Sequence, residues 1–185
     1  MRVLHFADLV ESPWRNGGGL TREVATAPVQ EAGEFDWRVS IADVDRSGAF
    51  SAFPGVDRVI TLLEGDGMVL TVDGVERTLR PHEPFAFAGE SDTSCRLPGG
   101  PTRDLNVMTR RGRTTGELTV RELAGEPVEL TGHAVAVVLD GSLRLQEPEA
   151  VPRPLAQFDS VVLGDGGQAR LRGRGRVALV RITAS

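Results

Sequence analysis

Short runs of apolar residues alternating with polar ones recur along the chain, separated by Gly, Pro and Asp. Residues 37–44 (WRVSIADV), 59–74 (VITLLEGDGMVLTVDG), 84–89 (PFAFAG), 93–97 (TSCRL) and 104–109 (DLNVMT) read as strands. After Gly112 the pattern starts again with GELTVREL, HAVAVVLDGSLRLQE, SVVLG, QARLRG and RVALVRI, and His133 is expected to open a strand. Gly65, Asp66 and Gly67 form a hairpin turn by backbone geometry alone. Helical periodicity is nearly absent. Many short strands between turn signals predict an all-β sandwich or jelly roll.

A repeat underlies these strands. VDRVITLLEGDGMVLTVDG, RTLRPHEPFAFAG, TSCRLPGGP and TRDLNVMTR have counterparts in GHAVAVVLDGSLRLQ, RPLAQFDSVVLG, GQARLRGRG and RVALVRI. Each copy runs through an apolar hairpin, a turn, an apolar strand closed by Gly, a polar strand and a last apolar strand. The expectation is a duplicated small β-barrel, with residues 1–115 as the first module and 116–185 as the second, packed as one unit with it. The first copy has the longer loops and the less ordinary polar residues, so function is placed there.

The segment WRNGGGLTRE, Trp14 to Glu23, falls outside the alternating pattern. Glycine costs roughly 0.5–1 kcal/mol relative to Ala within a regular element, so three in succession need a reason. Two readings are open. The peptide N–H groups of the loop face a ligand, with Asn16 and Thr21 adding side-chain hydrogen bonds, or the glycines form a tight crossover past another strand. No Lys-Ser/Thr follows the glycines and GxGxxG spacing is absent, which excludes a phosphate loop.

At 185 residues, 40% hydrophobic and 25% charged, the composition is that of an ordinary globular protein. Asp8 and Glu11 interrupt any apolar leader and no stretch has the length of a membrane span, so a cytoplasmic protein is expected. The single Cys95 excludes an internal disulfide and reads as a small packing residue. The absence of Lys and Tyr removes Schiff-base lysine and tyrosine-acid chemistry. A net charge of -5 argues against nucleic acid as a partner. Two Arg clusters stand against that balance, RRGR at 110–113 and the alternating Arg170, Arg172, Arg174 and Arg176. The second puts four guanidinium groups on one strand face, which a solvated edge strand explains more simply than a phosphate track.

The duplicated barrel resembles the cupins, whose first motif usually carries two His and a Glu and whose second carries another His. The corresponding first segment here, AFSAFPGVDRVITLLEG, has no His, and TRDLNVM stands where the second motif's His would fall. His5, His82 and His133 are scattered without ligand spacing, and His82 reads as a solvated turn residue. No metal or other cofactor is expected. More specifically, WRNGGGLTRE, FDWRVSIADVDRSGAFSAFPGVDRVITLLEGDG and TRDLNVMTRR, in that order, resemble the HutD/Ves family of small bicupins. The likeness is densest from Trp14 to Arg111. The resemblance implies a duplicated cupin fold without an obvious metal site. It also implies a protein that accompanies histidine-utilisation genes and restrains that pathway by sensing an intermediate such as N-formylglutamate or urocanate. Ves-type members imply a stress response instead.

An acidic ligand suits the residues. Arg58, at the start of a strand in FPGVDR, has the planar fork to grip a carboxylate through two parallel hydrogen bonds, and the resemblance points to the same position. The competing reading is a surface pair with Asp57 or Asp104. Alternation puts Arg38, Ser40 and Ala42 on one strand face, toward solvent or a polar cavity, and Trp37, Val39 and Ile41 on a core face. Asp104, Asn106 and Met108 share a face. Asp104 and Asn106 either bond a ligand or satisfy the backbone of the glycine loop. Phe50 and Phe53 read as core or pocket wall, and Glu23 and Asp43 as carboxylate partners for Arg38 or Arg58. The site expected is therefore Arg58 with Asn16, Thr21, Arg38, Ser40, Asp104 and Asn106, holding a small carboxylate metabolite in a non-enzymatic protein. The alternative is a metal-free isomerase or hydrolase using Glu23 or Asp43 as base. Exposed sheet edges make a homodimer plausible.

Overall fold

The computed structural model describes residues 1–28, 35–131, 134–148, 150–164 and 166–185; His133, expected to open a strand, lies outside the described residues. The chain runs β1 (Arg2–Leu4), a 3-10 turn (Phe6–Asp8), β2 (Glu11–Pro13), β3 (Gly19–Pro28), β4 (Phe35–Val44), β5 (Gly48–Ala49), β6 (Val56–Glu64), β7 (Met68–Val72), β8 (Val75–Leu79), β9 (Phe85–Ala88), β10 (Thr93–Arg96) and β11 (Thr102–Arg110). It continues with β12 (Thr114–Ala124), β13 (Val128–Thr131), β14 (Ala134–Gln146), β15 (Arg153–Leu155), β16 (Ser160–Val162) and β17 (Gln168–Ala184). Among the described residues no helix is long and apolar enough to cross a membrane.

Two compact units result. One holds Val10–Gly116 with the last two residues, and the other holds Glu117–Thr183 with Met1–Leu9. The first nine residues, assigned from sequence to the head of the first module, belong to the other unit because β1 pairs antiparallel with β16.

The Val10–Gly116 unit is built from a six-stranded sheet in the order β2-β3-β4-β11-β6-β9 and a four-stranded sheet in the order β5-β10-β7-β8. Val44, Ile60 and Leu62 of the larger sheet pack with Met68, Leu70, Leu79 and Cys95 of the smaller one. Burying each such Leu or Ile contributes about 1.5–3 kcal/mol, which makes this cluster the main support of the sandwich. A smaller cluster of Phe35, Val56 and Met108, with Phe53 against it, forms separately. Arg58 lies between the two on β6, since positions 56, 58, 60 and 62 point the same way along a strand.

The other unit has one sheet, β1-β16-β14-β17-β12, to which β13 adds on β17 and β15 on β14. QARLRG and RVALVRI, expected as separate strands, form the single strand β17. Gly173 and Gly175 have positive φ and lie against the backbone carbonyls of Ser142 and Asp140, so the glycines permit close pairing with β14 instead of ending the strand. Arg170–Arg176 therefore does not form the free edge expected. β14 pairs along it, Arg170 meets Glu129 at 2.6 Å and Arg176 meets Asp140 at 2.7 Å.

Asp159, 3% exposed, ties the N-terminal segment to this unit. It accepts from the Phe6 N–H at 3.0 Å and the Ala156 N–H at 3.0 Å, and lies 2.9 Å from His5 Nδ1. The hydrogen bond and negative charge of Asp159 raise the His5 pKa above its ordinary value. A folded-state pKa above the unfolded one means stability that is fully present below about pH 6.5 and lost as pH rises through the folded value. We expect the difference in thermal stability between wild type and His5→Gln to shrink from pH 5.5 to pH 8.5. Scans at the two pH values check this, and a constant difference would remove the ion pair as its source.

Candidate ligand-binding site

Strand register assembles a polar group on one face of the six-stranded sheet. Ser40 stands opposite Asn106, which stands opposite Ile60; Ala42 stands opposite Asp104. Arg38 stands opposite Met108, Met108 opposite Arg58, and Arg58 opposite Phe87. On the outer strand β3, Thr21 pairs with Ala42 and Glu23 with Ser40, before a bulge at Val24 shifts the register. The reverse face of β4 carries Val39 and Ile41, both wholly buried, as alternation requires.

The polar face borders a cavity of about 480 Å³. Asn16, Thr21, Arg38, Ser40, Arg58, Asp104 and Asn106, all seven of the expected site residues, lie on its wall, with Glu23, Trp14, Phe50, Phe53 and Met108. The size falls within the range of roughly 300–1,000 Å³ typical of small-molecule pockets.

Arg58 is only 5% exposed. Its guanidinium carbon lies 5.4, 5.5 and 4.9 Å from the ring centres of Phe50, Phe53 and Phe87. Cation–π attraction of about 0.5–2 kcal/mol per favourable pair offsets part of the lost hydration. The Nη2 group donates to Asn106 Oδ1 at 2.9 Å, and the Asn106 amide donates in turn to Asp104 Oδ1. Burial lowers the Arg58 pKa to about 10, opposed by the charge of Asp104, so the group stays cationic at neutral pH. The same burial pushes Asp104 up to about 7 against the pull of Arg58.

Arg38 also reaches Phe53. Its guanidinium carbon lies 5.1 Å from the Phe35 centre and 5.5 Å from that of Phe53, and Nη2 reaches Met108 Sδ at 3.3 Å. Burial lowers its pKa, with the Glu23 charge opposing the shift. Arg38 Nε, Arg58 Nε and Asp104 Oδ2 are buried without a protein hydrogen-bond partner among the described residues. Leaving a buried polar atom unsatisfied costs about 1–3 kcal/mol, so three in one cavity mark it as built for polar contact.

The surface-pair reading of Arg58 does not survive. Asp57 points the opposite way and takes Arg111, at 3.0 Å from Nε and 2.6 Å from Nη2, while Asp104 is buried and reached through Asn106. Asp43 is likewise no partner for Arg38 or Arg58. It accepts from Arg22 Nη1 at 2.6 Å and Arg103 Nε at 2.6 Å and does not line the cavity, which removes it as a base there. Glu23 does line it.

The glycine loop is a tight approach rather than a cradle of peptide donors. The Gly17 N–H is spent on the Trp14 carbonyl at 3.0 Å and the Gly18 N–H on Asn16 Oδ1 at 2.9 Å. A Cβ on Gly19 would fall against the Asp43 backbone carbonyl of the neighbouring strand. Asn106 bonds both Asp104 and Arg58, and these bonds do not run to the loop. What the loop does supply is the turn that brings Trp14 over Thr21, where the indole N–H donates to the hydroxyl at 2.8 Å.

Trp14, on the cavity wall, and Phe87, which stacks against Arg58, are residues that sequence reasoning passed over. The alternation of FAFA contained a signal for Phe87, because Phe85 and Phe87 must share a face, but its placement opposite Arg58 depends on β6–β9 pairing.

Among the described residues no group of three or more His, Cys, Asp or Glu is placed to hold a metal ion. The cavity is lined by two carboxylates, Glu23 and Asp104, two carboxamides and three guanidinium groups, with no His or Cys, and this set does not fit the catalytic metal of many cupins, which takes imidazole and carboxylate ligands.

The chain matches the family model described as HutD over residues 6–180. It is 48% identical over 109 residues to an uncharacterised 21.2 kDa protein in the hutC 3' region of Pseudomonas putida, a match spanning 58% of this chain and 57% of that protein's length. Protein Ves of Cronobacter sakazakii is 35% identical over 97% of this chain and 99% of its own. Among solved structures, HutD from Pseudomonas fluorescens SBW25 is similar with a TM-score of 0.84 and 37% identity, over 100% of this chain and 98% of that one. At the level of fold alone, a cupin 2 conserved barrel domain protein from Leptotrichia buccalis aligns with a TM-score of 0.67 at 12% identity, over 98% of this chain and 96% of that one.

Proposed function

This chain belongs to the HutD family of cupin-fold proteins, and on that premise we propose that it binds a small carboxylate metabolite in the Val10–Gly116 unit and thereby modulates histidine utilisation or a related metabolic or stress response. The observation that carries the reading is Arg58: a buried cation, held in place by three phenyl rings, with Nε unpaired at a cavity wall. A guanidinium in that state is prepared for a planar carboxylate, since the cost of desolvating it has been met in folding and the ligand restores the missing hydrogen bond. Arg38, also against Phe53, adds a second positive group, and Asn16, Thr21 and Ser40 contribute to the polar lining.

The test is thermal unfolding of the purified protein against a panel of small acids that includes N-formylglutamate and urocanate, each with its amide as a control. A ligand at about 100 times its Kd is expected to add about 2.7 kcal/mol of stability. A shift with an acid and none with its amide supports the reading. Equal shifts with both, or no shift across the panel, overturn it. A binder returns the acid unchanged, whereas an isomerase or hydrolase would show turnover that Glu23→Gln removes.

A further inference from the structure

Asp104 is the residue of this cavity with the least ordinary surroundings. It is 1% exposed, its Oδ1 is engaged by the Asn106 amide, and its Oδ2 is buried without a protein partner on the wall that also carries Arg58. An ionised carboxylate there would compete with an incoming carboxylate for Arg58 and repel it. A protonated one, with Oδ1 still accepting from Asn106, would instead carry a proton on Oδ2 to donate to the ligand. We propose that Asp104 is a proton-carrying ligand contact, so that the site takes up one anionic ligand together with one proton, the Oδ2–H donating to an oxygen of the bound acid while Arg58 holds its charge. This rests on the carboxylate-binding reading above and adds to it which form of Asp104 the ligand requires.

The charged and titratable groups around Asp104 favour a proton that is gained easily. Arg58 on β6 holds the carboxylate form, but a ligand carboxylate that engages Arg58 neutralises that support and adds a negative charge beside Asp104. Asp43 on β4 already opposes ionisation. Arg38 on β4 and Glu23 on β3 line the same cavity with opposite charges, and the Cys95 thiol on β10 is held neutral by burial and by Asp104 itself. Asp104 starts near pH 7 in the ligand-free protein, so ligand entry has only a small further shift to make before the acid is protonated at neutral pH.

Formate serves as the probe because it stays ionised throughout the range used. Its affinity is measured from pH 6 to pH 9 for the wild type and Asp104→Asn, and the Asp104 carboxyl carbon is followed by NMR over the same range without ligand. Wild-type affinity is expected to fall toward about tenfold per pH unit on the alkaline side. In Asp104→Asn, whose side-chain amide supplies a permanent neutral donor, binding is expected to persist with that slope removed. The free carboxyl resonance is expected to titrate well above the ordinary aspartate range. A flat wild-type profile, the same slope in both proteins, or a ligand-free Asp104 that titrates near 4 overturns the proposal. Formate failing to bind at any pH would count against the carboxylate-binding reading, and the NMR titration would still decide the state of Asp104 separately.

Discussion

Arg58→Ala is expected to weaken binding of a small acid by roughly 30-fold to several thousand-fold while leaving the ligand-free protein folded. Truncating one partner of a buried, hydrogen-bonded charge pair costs about 2–5 kcal/mol, and each 1.36 kcal/mol is a factor of ten. Arg38 does not take its place, because its Nη2 is turned toward Met108 Sδ and it lacks the hydrogen bond to Asn106. The effect on the free protein should be far smaller. Arg58 is desolvated, lacks a partner at Nε and meets Asp104 only through Asn106, so its removal relieves a cost as well as deleting contacts. Asp104 then loses its nearest cation and is expected to become neutral. Arg58→Lys should lose most of the affinity too, since an ammonium cannot offer two parallel donors or lie flat among Phe50, Phe53 and Phe87. Calorimetric titration of the three proteins with the acid that stabilises the wild type, beside their unfolding temperatures, checks both halves. Equal affinity in Arg58→Ala would take Arg58 out of the site.

Gly19→Ala is expected to be the most damaging single change in the glycine run, costing about 3 kcal/mol or more. The added Cβ meets the Asp43 backbone carbonyl, and the sheet pairing of β3 and β4 leaves that carbonyl no room to retreat. Gly17 has a φ of +64° and faces only the end of the Arg46 side chain, so Gly17→Ala should cost about 1–2 kcal/mol, the ordinary penalty of a left-handed residue with a Cβ. Gly18→Ala touches the movable Asn16 side chain at 3.1 Å and should be nearly neutral. For a chain of this size, about 2–4 °C is lost per kcal/mol, so the series is resolved by melting temperatures, with urea titration for the free energies. Equal costs at all three positions would refute the close-approach account.

Several features of the site were legible before the fold. Alternation of apolar and polar residues determined the strands of residues 37–44, 59–74 and 104–109 and which residues share a face within each, because side chains on a strand alternate with a period of two whatever the strand pairs with. It put Arg38 with Ser40, and Asp104 with Asn106 and Met108. The repeated order of strands likewise carried the duplicated β architecture, and the motifs around Trp14, Arg58 and Asn106 carried the family.

Only the tertiary structure decided what those faces meet. Nothing local says that Met108 stands between Arg38 and Arg58, that Phe87 stacks against Arg58, or that Asp43 is held by Arg22 and Arg103 while Asp104, one position along from Asp43's partner Arg103, is buried at the cavity wall. These depend on pairings between strands far apart in sequence. They depend also on register shifts at Val24 and between Arg103 and Asp104, which set side chains one residue further along than uniform alternation would. The glycine run shows the same division. Sequence alone required a reason for it, and the closeness of β4 to Gly19 supplied that reason. Burial completes the contrast, since the ionisation of Asp104 and Arg58 follows from how much water the assembled sheets exclude, a quantity no single strand possesses.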